Sequence, residues 1–290
     1  MVKLEKIGII AKHTVPEKHR TCLIELVRLL EKNKGEIMFD EVTGPVFNKS
    51  GHSRAHVLSK VDIAIVLGGD GTLLKTARCL GKKPTLILGI NMGNVGFLTS
   101  IAPKEIARSV TRLFKGEYIV DERDLLRVTV YRGGKKIHTS MALNEAVINQ
   151  GGFARVIDLD VSVNKRKLAK YRADGLIVST PTGSTGHSLS SGGPVVHPRV
   201  DAFIVAPICS LRLGVRPIII PGDRIIEITL KTEWREAKKP IVLTVDGQEA
   251  FNLHKDDIVR LRTSSRNMRM VRFKGTNYYA MLRKKLNWGA

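Results

Sequence analysis

Val61-Asp62-Ile63-Ala64-Ile65-Val66-Leu67 is a short apolar run, and Gly68-Gly69-Asp70-Gly71-Thr72 follows it directly before a helical pattern over Thr72 to Leu80. A strand buried on both faces reads as such a run, and glycines after it permit a tight turn into the helix. The same alternation extends in both directions. Lys6 to Ile10 is a first apolar run, and Thr14-Val15-Pro16-Glu17 has capping-box spacing with Pro near the first helical position. Leu23, Leu26, Val27 and Leu30 recur at helical steps, and Gly35 stands where a helix C-terminus favours positive φ. Glu36 to Phe39 reads as a second strand, Gly44 to His56 as polar turns, and Thr85 to Ile90 as a further strand. Strands alternating with helices predict a parallel α/β sheet.

After about residue 121 the pattern changes. Leu126 to Tyr131 and Ile137-His138 flank Gly133-Gly134, a hairpin signal. Further strand-like runs lie at Ile157 to Val163, Leu176 to Ser179, Ile225 to Leu230, Ile241 to Val245, Val259 to Arg262 and Met268 to Phe273. These predict a β-rich, antiparallel, sandwich-like domain over 121–273, with 1–120 and the basic tail 274–290 forming the α/β domain. Lys231 to Pro240 reads as an exposed loop.

The formal charge of +21 produces a field that attracts polyanions, nucleotides among them. The cations are scattered and aromatics are only 5%, a poor composition for base stacking, so a nucleic-acid role is not expected. Cys22, Cys79 and Cys209 are far apart and odd in number, which supports neither a disulfide framework nor a CxxC site. No apolar stretch approaches the roughly 20 residues that span a bilayer, and the N-terminus lacks a long apolar h-region, so a cytoplasmic protein is expected.

Three segments carry chemistry. The Gly68–Thr72 loop lets backbone approach a phosphate, and the helix start offers free N–H groups to an anion. Asp70 is the oddity there: beside an anion a carboxylate needs a proton, a metal or a hydroxyl as partner, unless it is an Asx-type cap of the turn. No GxxxxGK[ST] or GxGxxG occurs, which removes the P-loop and ordinary dinucleotide fingerprints. Asn91-Met92-Gly93-Asn94-Val95-Gly96-Phe97-Leu98 also follows a buried strand, placing a second loop at the carboxyl edge of the sheet. The third segment runs from Asp174 to Pro194, and its stretch to Ser190 carries the hydroxyls of Ser179, Thr180, Thr182, Ser184, Thr185, Ser188 and Ser190 among glycines. They suit a ribose or phosphate surface, and equally an ordinary polar loop. His52 and His56 have i,i+4 spacing but no third ligand in pattern, and read as loop residues.

In order along the chain, Gly68-Gly69-Asp70-Gly71, Asn91 to Leu98, Asn144-Glu145, Asp174 to Pro194 and Asp246-Gly247-Gln248 resemble the signatures of the NAD kinase family over most of its length. The GGDG core alone also occurs in lipid kinases and some sugar kinases, which is the alternative enzyme reading. A non-catalytic nucleotide-binding protein is the other. The Asn-Glu pair and the long hydroxyl-rich run are specific to NAD kinases.

The resemblance implies transfer of the terminal phosphoryl group of ATP, or of another nucleotide or polyphosphate, to the 2′-hydroxyl of the adenosine ribose of NAD, giving NADP. It implies Asp70 as general base, Asn144 on the adenine, Glu145 on the ribose hydroxyls and Asp174 on the nicotinamide carboxamide. Without a ligand, Asn144-Glu145 would be a strand-end pair whose carboxylate, buried unpaired, costs several kcal/mol. Gly71, Lys75, Thr185, Gly186, His187, Ser188, Ser190 and Gln248 are carried over as binding positions. Arg155 and Arg172 match positions that touch the dinucleotide in relatives, and each also reads as a solvated arginine. Mg²⁺ or another divalent cation is expected with the donor, and no dedicated protein metal site. A homodimer or homotetramer is implied, built through the β-rich domain with neighbouring subunits helping to complete sites. Two departures stand out: Thr185-Gly186-His187-Ser188 replaces the usual Thr-Ala-Tyr-Ser, so His187 keeps a flat ring but adds a titratable group, and Pro207-Ile208-Cys209-Ser210-Leu211 lacks the usual Pro-His.

Overall fold

The computed structural model describes residues 4–12, 16–93, 96–99, 101–150, 156–212, 214–232, 240–275 and 277–287. The chain divides into two compact units, 1–122 with 268–290, and 123–267.

The first unit begins β1 (Lys6–Ala11), α1 (Glu17–Lys32), β2 (Glu36–Phe39), α2 (Arg54–Lys60), β3 (Ile63–Gly68), α3 (Asp70–Arg78), β4 (Leu86–Asn91) and α4 (Ile106–Phe114). Its strands lie in the order β2-β1-β3-β4 and all pair in parallel. The apolar runs of β3 and β4 are buried throughout, as strands covered on both faces require. Helix α1 sets Leu23, Leu26, Val27 and Leu30 into a core with Ile7, Ile9, Ile65 and Leu88.

Several local expectations are corrected. The left-handed residue after α1 is Lys34 (φ 58°), not Gly35, which is small because a Cβ there would lie 2.6 Å from Ile7 Cδ1. Thr14, expected to cap α1, falls outside the described residues, and Pro16 occupies the N-cap without a side-chain bond. His56 lies in α2 rather than a loop, its ring stacked on His52 at 5.0 Å. Helix α3 starts at Asp70, two residues before the periodic pattern, because Gly69 serves as its N-cap.

The second unit is built from β5 (Tyr118–Arg132), β6 (Lys135–Ala142), β7 (Glu145–Gln150), β8 (Ile157–Val163), β9 (Arg166–Ala173), β10 (Gly175–Ser179), the short α5 (His187–Ser190), β11 (Ala202–Ile208), β12 (Ile218–Pro221), β13 (Ile226–Leu230), β14 (Ile241–Val245), β15 (Glu249–Leu253) and β16 (Ile258–Phe273). Strands β5 and β16 run on into the first unit, and α6 (Tyr278–Leu286) ends the chain there. The β5–β6 turn is Gly133-Gly134, with φ of 54° and 78°, as a two-residue hairpin demands.

The two expected runs at 259–262 and 268–273 are one strand. Residues 268–273 cluster with the α/β unit rather than the β-rich part, because Arg269 and Met270 pair in parallel with Leu86 and Ile87 of β4. Within 123–267, β13, β8 and β9 extend from β16, while β12-β11-β10-β7-β14-β15 form an antiparallel sheet. Leu126, Val128, Leu159, Ile228 and Leu261 meet Ile148, Val178, Val205 and Leu243 in one sandwich core. The outer face of the six-stranded sheet is also covered, with Val147, Ile177, Ile204 and Ala206 packed on Val196, so β10 and β11 are apolar without alternation. Edge strand β9 exposes Arg166, Lys167, Lys170 and Arg172, charges that discourage edge-to-edge pairing and absorb part of the positive excess.

The three cysteines are free, and no helix among the described residues is long and apolar enough to cross a membrane. The exposed loop expected at Lys231 to Pro240 falls mostly outside the described residues.

Ile65 is fully buried at the centre of the parallel sheet. Ile65→Ala is expected to lower the unfolding free energy by about 2–5 kcal/mol in urea titration; a loss below about 1 kcal/mol would mean that this core is loosely packed.

Candidate active site

In the first unit, the glycine loops after β3 and β4 lie side by side, with Gly68 in register with Asn91 and Met92 N–H donating to Gly68 O at 3.3 Å. The half-buried Asp70 carboxylate binds the second loop. Its Oδ1 accepts from Leu98 N–H (3.1 Å), Thr99 N–H (3.1 Å) and Thr99 Oγ1 (3.2 Å), and its Oδ2 from Phe97 N–H (2.8 Å). The partner sought for this carboxylate is thus a row of backbone amides, a class the sequence does not display. Asn91 Nδ2 donates to Thr99 Oγ1 at 2.8 Å, and Asn91 Oδ1 accepts from Gly93 N–H at 2.7 Å. The Asp70 carboxyl lies so close to Gly96 that a Cβ there would fall 1.9 Å from Oδ1. A carboxylate has about four acceptor positions. Among the described residues Oδ2 takes one donor, leaving it the oxygen with capacity for another. Gly71 is exposed in the first turn of α3 and Lys75 half-buried one turn on.

In the second unit, Asp246 plays a parallel part. Its Oδ2 accepts from Leu143 N–H (3.0 Å), and its Oδ1 from Asn144 N–H (2.8 Å) and Glu145 N–H (3.1 Å). The following Gln248 is half-buried, its N–H closing the β14–β15 turn on Val245 O. Asn144 Oδ1 and Glu145 Oε2 are buried and have no hydrogen-bond partner among the described residues. Ser188 Oγ is buried and unpartnered in the same way. A Cβ on Gly186 would lie 3.3 Å from Glu145 Oε2 and 3.7 Å from Asn144 Nδ2, so Thr185-Gly186 borders the pair.

The hydroxyl-rich run divides by role. Ser179 Oγ and Thr180 Oγ1 donate to Asn144 O (3.1 Å) and Leu143 O (2.6 Å), and Ser184 Oγ to Pro181 O and Val196 O. Thr182 Oγ1 accepts from the buried Arg123 at 3.4 Å. These four hydroxyls build the scaffold. The hydroxyls of Thr185, Ser188 and Ser190 take no part in this scaffold, and His187 beside them is exposed.

Two expected residues are not brought to this pair. Ser179 is opposite Glu145 whereas Gly175 is opposite Asn149, so Asp174 lies at the far end of β10, about 17 Å away at 3.3–3.4 Å per residue. Arg172 is exposed beside it, 3.8 Å from Asp158 across the β8–β9 ladder, a surface pair worth little. Arg155 falls outside the described residues. The roles of Asp246, Thr99, Asn91 and Gly96 emerge only from the folded chain. An Asp-Gly pair signals a turn, but nothing local signals amides some hundred positions away.

Burial, and then the Asp246 charge, push the Glu145 carboxyl from an ordinary 4.5 up to about 7. Between those values the folded chain holds a proton that the unfolded chain has released, so stability falls as pH rises through the window and levels off above it. At about 1.4 kcal/mol per pH unit the loss reaches about 3 kcal/mol. Glu145→Gln, neutral throughout, is expected to match the native protein near pH 4.5 and to exceed its stability by that order above pH 7. A pH-independent difference in denaturant midpoints would show that Glu145 does not titrate in this range.

Residues 7–118 match the ATP-NAD kinase N-terminal domain, and residues 143–273 the ATP-NAD kinase C-terminal domain. The chain is 38% identical over 286 residues to an NAD kinase of Geobacter metallireducens, covering 99% of both chains. It is 44% identical over 236 residues to an NAD kinase of Geotalea daltonii, covering 81% of this chain and 82% of the relative. Among solved structures, it superposes on a yeast NADH kinase complexed with NADH with a TM-score of 0.88 at 22% identity, over 100% of this chain and 89% of the other. An NAD kinase of Archaeoglobus fulgidus in complex with ATP gives 0.75 at 26% identity, over 97% and 98%. With both domains matched in order, and relatives aligned end to end, the chain belongs to the ATP-NAD kinase family and is an enzyme that phosphorylates NAD.

Proposed function

We propose that Asp70 is the general base of this reaction, taking the proton of the adenosine 2′-hydroxyl as that oxygen attacks the terminal phosphoryl group of ATP. The observation that carries this reading is the asymmetric hold on its carboxylate: three donors fix Oδ1 and one fixes Oδ2, which leaves an oriented oxygen with room to accept a hydroxyl. Phosphoryl transfer relies on positioning and charge neutralisation. The glycine loops, the α3 N-terminus and Lys75 supply both for the phosphates. A divalent cation such as Mg²⁺ would enter with the triphosphate and neutralise developing charge. Phosphates and water would supply most of its shell.

The adenosine half of NAD is assigned to Asn144 and Glu145. A buried acceptor without a partner costs about 1–3 kcal/mol, and adenine and ribose donors would relieve both at once. Thr185, Gly186, His187, Ser188, Ser190 and Gln248 are assigned to the same dinucleotide, Gly186 being the one that lies against the pair. Asp174, about 17 Å away at the far end of β10, and Arg172 near the end of β9 then serve the nicotinamide end of a dinucleotide bound by a neighbouring subunit, in a homodimer or homotetramer. Arg155 is assigned to the same dinucleotide by resemblance. A cytoplasmic location suits these substrates.

The test follows NADP formation from NAD, ATP and Mg²⁺ with a coupled NADP-specific dehydrogenase. Asp70→Asn keeps an acceptor for the loop but loses the base, and is expected to lower kcat by at least about 10²-fold with NAD affinity retained. Gly96→Ala, whose Cβ displaces the Asp70 carboxyl, is expected to lower kcat in the same direction. An Asp70→Asn enzyme within tenfold of native activity would remove Asp70 as the base.

A further inference from the structure

Asp246 opens a left-handed two-residue turn, a position that hairpins commonly give to Asn, Asp or Gly. Its φ is 51°, and Gly247 follows at 62°. Asp enters that region at low cost where its short side chain finds a hydrogen-bond partner. Here the side chain accounts for it: the buried carboxylate takes three successive backbone amides from a segment 101 to 103 residues away, at 2.8–3.1 Å. Asp246 N–H donates in return to Glu145 O at 2.9 Å. Neither Gly nor Asn can accept all three.

We infer that Asp246 is a positioning residue for the adenosine end of NAD: it fixes the backbone from which Asn144 and Glu145 project, and it holds a negative charge against the Glu145 carboxyl. The inference rests on assigning Asn144 and Glu145 to the adenosine half. Two functions are joined in one group. Oriented amides set where the two unpartnered acceptors point, and the charge adds to burial in raising the pH at which Glu145 ionises. Among the described residues, the groups around Glu145 include Asp246 from the β14–β15 turn, Asn144 beside it, Ser179 opposite it on β10, and Gly186 from the hydroxyl-rich segment, whose next residue His187 is exposed. With burial as the larger cause and Asp246 as the second, the Glu145 carboxyl sits at about 7, where a modest change in its surroundings switches its charge. An ionised Glu145 is the better acceptor for two ribose hydroxyls, so NAD affinity should rise with pH through that value.

The experiment measures KM for NAD and kcat across the pH range around 7 in the full-length native protein, Asp246→Asn, Asp246→Ser and Glu145→Gln, with thermal melts to establish folding. The native KM is expected to fall with a midpoint near 7. Asp246→Asn and Asp246→Ser, both uncharged, should move that midpoint to lower pH and raise KM about tenfold while kcat changes much less. Glu145→Gln should abolish the midpoint. If Glu145→Gln abolishes it but both Asp246 variants keep it at the native position, Asp246 is scaffold alone and the inference fails while the adenosine assignment stands. If Glu145→Gln leaves KM and its profile unchanged, the assignment itself fails and takes the inference with it. If neither Asp246 variant folds, the residue is a requirement of the fold and the positioning role is rejected.

Discussion

A carboxylate bound to three consecutive backbone amides is the interaction on which both halves of this enzyme depend. Asp70 makes it with residues 97–99 in the α/β unit, and Asp246 makes it with residues 143–145 in the β-rich unit. Loop amides that would otherwise need water receive a charged acceptor, and such bonds are about twice as strong as neutral ones. Each aspartate converts a connection that could take many conformations into one.

The small residues follow from this constraint. Gly96 has no side chain because the Asp70 carboxyl occupies the space of its Cβ, and Gly183 has none because Asn144 O would lie 2.4 Å from a Cβ there. Ser179 and Thr180 tie down the carbonyls of residues 143 and 144 while Asp246 ties down the amides of 143–145. With the backbone polar groups of that segment satisfied, the side chains of Asn144 and Glu145 can remain unpartnered without unfolding it. A fold tolerates unsatisfied acceptors where rigid surroundings leave them no alternative, and a ligand then gains what the protein did not use.

Much was legible in the sequence because it rests on local rules. Alternating buried strands and helices up to residue 120, and strand after strand beyond it, follow from apolar periodicity and turn chemistry. The Gly133-Gly134 hairpin, the juxtaposed glycine loops and the family signatures are of the same kind. The mistakes were local as well: Lys34 took the conformation expected of Gly35, and the runs at 259–262 and 268–273 joined into one strand because β4 offers the last residues a parallel edge.

The sequence by itself determined the two classes of architecture and the family, since each depends on residue type and spacing along a few turns of chain. Only the tertiary structure decided which hydroxyls of the 179–190 run are scaffold, that Asp174 lies at the far end of β10 from Glu145, and what Asp70 and Asp246 hold. Those outcomes depend on amides and carbonyls brought close by strand pairing over separations of tens to a hundred residues. Every residue carries the same backbone groups, so no side-chain pattern marks in advance which of them a buried carboxylate will meet.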